Sequence, residues 1–101
     1  MANLFVKEFS NLGNDRQSVA QIPVEPAKVE QTPVDFTSGA AQSAAFNDAT
    51  TIVMIESDAD CHFLFGDNPT ATTNNEPLKA GVTKFRAVRP GSALKVSAIS
   101  A

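Results

Sequence analysis

The sequence predicts an all-β domain: a small β-sandwich or jelly-roll-like barrel with an extended N-terminal arm. Three observations predict it. Apolar residues recur with a period of two in short runs, and no stretch carries a 3.6-residue apolar face. Clusters of Pro, Gly, Asn and Asp separate those runs. The chain has 101 residues, 43% of them hydrophobic, which suits one modest core and is too apolar for wholesale disorder.

Residues 3–9, NLFVKEF, alternate Leu4 and Val6 against Phe5, Lys7 and Phe9 and form the first expected strand. SNLGND follows as a turn, with Gly13 free to take positive φ. RQSVAQIPVEPAKVEQTPVDF carries prolines at 23, 26 and 33. Proline cannot donate to a ladder, so this stretch reads as an extended arm with short strands near 17–22 and 29–36. Residues 1–36 are therefore expected to be a strand plus arm, and 37–101 a compact core. Deleting 1–36 is expected to leave that core β-rich but unable to bind its partner.

TSGAAQSAAFNDAT has helix-favouring alanines but no apolar face. It reads as a loop, a short strand from Gln42 to Phe46 and an Asn47–Asp48 turn. TIVMIES, 51–57, is apolar on both faces, as in a strand at a sheet centre or under a partner. After an SDAD turn, CHFLF at 61–65 is expected to complete a hairpin with it. GDNPTATTNNEP is a long polar loop, read either as a solvent-exposed connection or as a contact loop at one end of the sandwich. In TKFRAV, 83–88, Phe85 and Ala87 are expected to point inward and Lys84 and Arg86 outward. In ALKVSAI, 93–99, Leu94, Val96 and Ala98 alternate against Lys95 and Ser97.

Net charge is −3, from 11 acidic and 8 basic residues. Lys84, Arg86 and Arg89 come nearest to a basic cluster, short of the dense stripe that phosphate backbones require, so no nucleic-acid partner is expected. Seven Phe with no Trp or Tyr weigh against sugar- or base-stacking sites. The N-terminus lacks a basic region followed by a long apolar core, and no apolar run approaches the roughly 20 residues of a membrane helix. A soluble product made in a cytoplasm, with no membrane partner, is the expectation.

The one Cys and one His stand side by side in DCHFLFG. On a strand, Cys61, Phe63 and Phe65 share one face, while His62 and Leu64 share the other. A thiol and its base must lie within hydrogen-bond reach, so a regular strand rules out a Cys61–His62 dyad. One Cys also allows no internal disulfide, and Cys61 is expected to be a small buried apolar side chain. Zinc needs three or four ligands, and beyond Cys61 and His62 only Asp58 and Asp60 stand near; they read as turn formers. Asp58, Asp60 and Asp67 could be paired for acid–base work, but loop carboxylates are usually just solvated. No nucleophile elbow, phosphate loop or ordered calcium loop is present. No enzyme activity, metal or cofactor is expected.

The stretch AAFNDATTIVMIESDADCHFLFGDNPTATTNNEPLKAGVTKFRAVRPGSALKVSAIS resembles a family of small virion-associated proteins of tailed bacteriophages. The similarity covers residues 41–100 and, more loosely, the N-terminal start. FGDNPTAT and VRPG are its most specific pieces. KFRAV departs from the family's aromatic pair at that strand. The resemblance implies a structural particle component, most readily a capsid decoration or cement protein on the outside of the assembled shell. It implies as partners the major capsid protein and copies of itself, in a homotrimer. The contact residues implied are Val19, Ile22, Pro23, Val24, Pro26, Val29, Pro33, Val34 and Phe36 of the arm, and Pro69, Thr70 and Thr72 of the polar loop. A head–tail connector, tail or fibre-base component is the alternative, and a receptor- or sugar-binding module a distant third.

Overall fold

The alternation in residues 3–9 becomes strand β1 (Asn3–Phe9) in the computed structural model. The structure describes residues 2–10, 12–14, 19–23, 27 and 29–101, with backbone alone for 12–14 and 19–23. Among these, β2 (Leu12–Asn14), β3 (Val19–Pro23), β4 (Val29–Glu30), β5 (Val34–Asp35) and β6 (Ala41–Gln42) precede the longer strands β7 (Ile52–Ser57) and β8 (Cys61–Gly66). Then come β9 (Glu76–Leu78), β10 (Thr83–Ala87) and β11 (Lys95–Ser100). All pairings are antiparallel.

Two sheets pack face to face as a β-sandwich. One has the order β10-β7-β1-β4, with β5 also on β1; the other runs β6-β11-β8-β9. The core lies between them. Leu4, Val6, Val53 and Ile55 from the first sheet meet Cys61, Phe63, Leu78, Val96 and Ala98 from the second, with Phe36 and Phe46 closing the margins. Phe65 is tilted against Phe46 at 5.9 Å and edge-on to Phe63 at 6.0 Å, arrangements that suit ring quadrupoles.

The expected hairpin between 51–57 and 61–65 does not form. β7 pairs with β1 and β10, whereas β8 pairs with β11 and β9. The SDAD segment instead arches from one sheet to the other, held by Asp58 N–H donating to the Asn3 carbonyl at 3.2 Å and Asn3 N–H donating to Asp58 Oδ1 at 2.7 Å. Crossing places the Phe63 face of β8 against the Ile55 face of β7, so both are buried at once. A flat hairpin would leave both on one side of one sheet.

The segment read as a strand plus arm supplies part of the core from its two ends. β1 lies between β7 and the β4–β5 edge, with Leu4 and Val6 buried. Val34 and Phe36 are buried too. A boundary at 36/37 would therefore cut through the sandwich. Between β4 and β5 the edge breaks at Thr32–Pro33, where proline withholds a donor. The expected SNLGND turn contains β2, whose register with β3 shifts between Leu12 and Asn14, around Gly13.

Strand 42–46 is shorter than expected. Only Ala41–Gln42 is regular, because at Ser43 a side chain enters the ladder: Val96 N–H donates to Ser43 Oγ at 3.0 Å, while Ser43 N–H donates to the Val96 carbonyl at 2.8 Å. The facing of β10 is also reversed. Lys84 and Arg86 share the inner face with Ile55 and Val53, while Phe85 and Ala87 are exposed. The cationic heads stand over the Phe63 ring at 5.7 and 5.6 Å and reach Glu76 at the rim. Their aliphatic stems cover the ring, and inward charges on an edge strand discourage unwanted pairing.

Candidate functional site

Cys61 and His62 lie on opposite faces of β8. Cys61 is buried in the core, where burial above all pushes its thiol up, opposed by a Ser57 hydrogen bond. A buried thiol of raised pKa is a poor nucleophile. His62 stands half-buried on the outer face, with Nδ1 2.9 Å from the Asn75 carbonyl. A carbonyl only accepts, so Nδ1 carries the proton and the ring tethers the polar loop. Asp58 binds Asn3 N–H, Asp60 accepts from Ala80 N–H at 2.9 Å, and Asp67 is exposed. Among the described residues no group of three His, Cys, Asp or Glu is arranged to hold a metal ion.

Residues 67–75, expected at one end of the sandwich, fold back over the outer face of the four-stranded sheet. Ala71 and Pro69 are buried there. Ala71 N–H donates to the buried Ser97 Oγ at 2.9 Å, and Gln42 Nε2 donates to the Pro69 carbonyl at 2.7 Å. Ser97 therefore faces a roof of the chain's own making. Thr70 and Thr72 remain exposed, with the Thr72 hydroxyl turned back on Asn75 Oδ1 at 3.3 Å.

The other contact residues expected from the resemblance scatter. Val24 and Pro26 lie outside the described residues. Val19, Ile22 and Pro23 fall in β3, which pairs with β2 in a two-stranded ribbon joined to neither larger sheet among the described residues. Val29 and Pro33 line a cleft of about 560 Å³ between the β4–β5 edge and residues 41–44. Val34 and Phe36 are corrected from partner contacts to core residues: each is 7% exposed or less, because β5 closes the sandwich beside β1.

That cleft is pinned from beneath by Glu8, itself buried. Its carboxyl accepts from Asn47 N–H at 2.6 Å, Thr50 Oγ1 at 2.7 Å and Gln31 Nε2 at 2.7 Å. Gln31 in turn binds both backbone groups of Ala44. One side chain on β1 thus fixes the 44–50 segment and the β4–β5 edge together, satisfying each buried polar group.

Sequence reasoning read the second apolar side of TIVMI but missed that Phe5 and Phe85 extend it into an exposed face of the five-stranded sheet. Phe5 is 40% and Phe85 47% exposed, with Met54 and Ile52 half-buried between them. A signal was present: TIVMI is apolar on both faces, and only its Val53–Ile55 side enters the core. On the opposite flank, a cleft of about 390 Å³ runs between β8–β9 and β10, floored by Phe63, Phe65 and Leu94 and rimmed by the Arg86–Glu76 ion pair.

No family model, no curated protein and no solved structure matches this chain.

Proposed function

We propose that this chain is a structural subunit of a tailed-bacteriophage particle, a capsid decoration protein that binds the assembled major capsid shell. The resemblance across residues 41–100 supports the reading. So does the β2–β3 ribbon, the one observation that carries it most directly. An isolated two-stranded ribbon is marginal in water, and this one shares no ladder with either sheet of its own domain among the described residues. It is suited to engage a neighbouring surface. Association of like subunits is part of the reading, with three around an axis the arrangement that the resemblance implies. Such a subunit works by packing and not by turnover, on the virion surface after synthesis in the host cytoplasm.

The test is co-sedimentation with undecorated shells of the phage that carries this gene. The full chain is expected to pellet at a copy number that scales with the shell lattice. A variant with residues 12–23 replaced by a short Gly/Ser linker is expected to fold and stay in the supernatant. Binding at the low copy number of a single ring would favour the connector reading. Pelleting of the ribbonless variant at full stoichiometry would remove the ribbon from the contact.

A further inference from the structure

We propose that the outer face of the five-stranded sheet, centred on Phe5 and Met54, packs against the same face of a second copy of this chain, with Lys7 of each copy meeting Glu56 of the other. The proposal goes beyond the decoration reading and holds whichever particle surface the subunit occupies.

Strand register sets out the face. Phe5 pairs with Glu56, and Lys7 pairs with Met54. Paired residues in an antiparallel ladder share a face, so these four form a two-by-two checkerboard. One diagonal is apolar and the other carries opposite charges. Phe85 extends the Lys7–Met54 row on β10, and Ile52 lies in the next row of β7. The most exposed large apolar side chains here, Phe5 at 40% and Phe85 at 47%, sit where a solvated antiparallel face would ordinarily carry polar residues.

The pattern is self-complementary. A two-fold axis lying in the contact plane along the Phe5–Met54 diagonal sets each of those residues against its own counterpart. The same rotation exchanges Lys7 with Glu56 and Phe85 with Ile52, so unlike charges meet twice and apolar residues meet apolar ones. Strands are about 4.8 Å apart and alternate residues about 6.8 Å apart along a strand, a difference that long Lys and Glu side chains span. Both charges already stand on this face: Lys7 Nζ lies 5.9 Å from the Phe9 ring centroid, and Glu56 Oε1 accepts from Thr83 Oγ1 at 3.1 Å. Matching like with unlike through a rotation is what an isologous contact requires. The same axis pairs two single chains, or joins two trimers face to face.

Charge reversal tests the pairing. In sedimentation equilibrium the wild-type chain is expected as a dimer or, if trimers form, as a hexamer. Lys7→Glu sets carboxylate against carboxylate at both charge contacts, and Glu56→Lys sets ammonium against ammonium at both. Each variant alone is expected to weaken association about 30-fold or more and to sediment at half the wild-type mass. Mixed in equal amounts, the two variants are expected to regain the wild-type mass, because every charge contact in the mixed pair is attractive. Phe85→Ser is expected to halve the mass as well, with its circular dichroism spectrum unchanged, which covers the case of a charge variant that fails to fold. A monomeric or trimeric wild type, variants that keep the wild-type mass, or a mixture that stays at half mass would each overturn the proposal.

Discussion

The two sheets of this sandwich treat their outer faces in opposite ways. The four-stranded sheet is roofed by residues 67–75, latched through Ser97, His62 and Gln42. The five-stranded sheet carries no such loop among the described residues and exposes Phe5 and Phe85 instead. A sheet face covered by its own chain is finished by local polar tethers, each donor matched to an acceptor. An apolar face left bare is finished only by association. The contrast separates a side finished by the chain's own tethers from the side on which we propose association.

The harshest way to break this contrast is to remove β1. Deleting residues 1–36 takes the middle strand from the five-stranded sheet, along with Glu8, Val34 and Phe36. Complete loss of the cooperative thermal transition is expected, not the β-rich remnant that the sequence led us to expect. A sharp melt of the truncated chain near the full-length temperature would show β1 to be dispensable.

Phe63→Ala, in the core shared by both sheets, is expected to cost about 3–5 kcal/mol in urea unfolding. Phe65→Ala should cost less than Phe63→Ala, since Phe65 is only partly buried. Losses below about 1 kcal/mol at both positions would mean that β8 faces the core differently.

Ser97→Ala leaves the buried Ala71 N–H without its acceptor and is expected to cost about 1–2 kcal/mol. Amide exchange should quicken across 67–75 and nowhere on β7. The matching change on the bare sheet, Thr83→Ala, removes only an exposed bond to Glu56 and should stay within about 0.5 kcal/mol. Similar costs for the two substitutions would erase the distinction between a latched and an open face.

The smallest effect concerns pH. Hydrogen bonds from Arg86 first, and then Lys84, hold the Glu76 carboxyl below its ordinary value of 4.5. A lowered folded pKa contributes stability above that ordinary value, and the contribution is lost as pH falls through the lower folded one. Glu76 is 44% exposed, so solvent screens the contribution and keeps it small. Glu76→Gln should slightly flatten the fall in urea midpoint below about pH 4.5. An unchanged acid limb would place the sensitive carboxylates elsewhere.

Much of the fold was legible in the residues. Period-two alternation located β1, β7, β8, β10 and β11, and Pro, Gly, Asn and Asp marked most of the breaks. The opposite facing of Cys61 and His62 followed from strand geometry alone, and the structure has it so. The parity of β10 was not legible, because alternation separates two sets of side chains without saying which set faces in. Hydrophobicity chose Phe85 for the interior. The structure chose Lys84 and Arg86, whose stems cover Phe63 while their heads reach Glu76.

By itself, then, the sequence determined that this chain forms short antiparallel strands around one core, and that its lone thiol and imidazole diverge. Both are local consequences of backbone geometry. Only the tertiary structure decided that β7 and β8 belong to different sheets, that Leu4, Val6, Val34 and Phe36 enter the core, and that among the described residues a loop roofs one outer face while the other exposes Phe5 and Phe85. Those outcomes depend on which surfaces bury one another, and burial is settled between segments far apart in the chain.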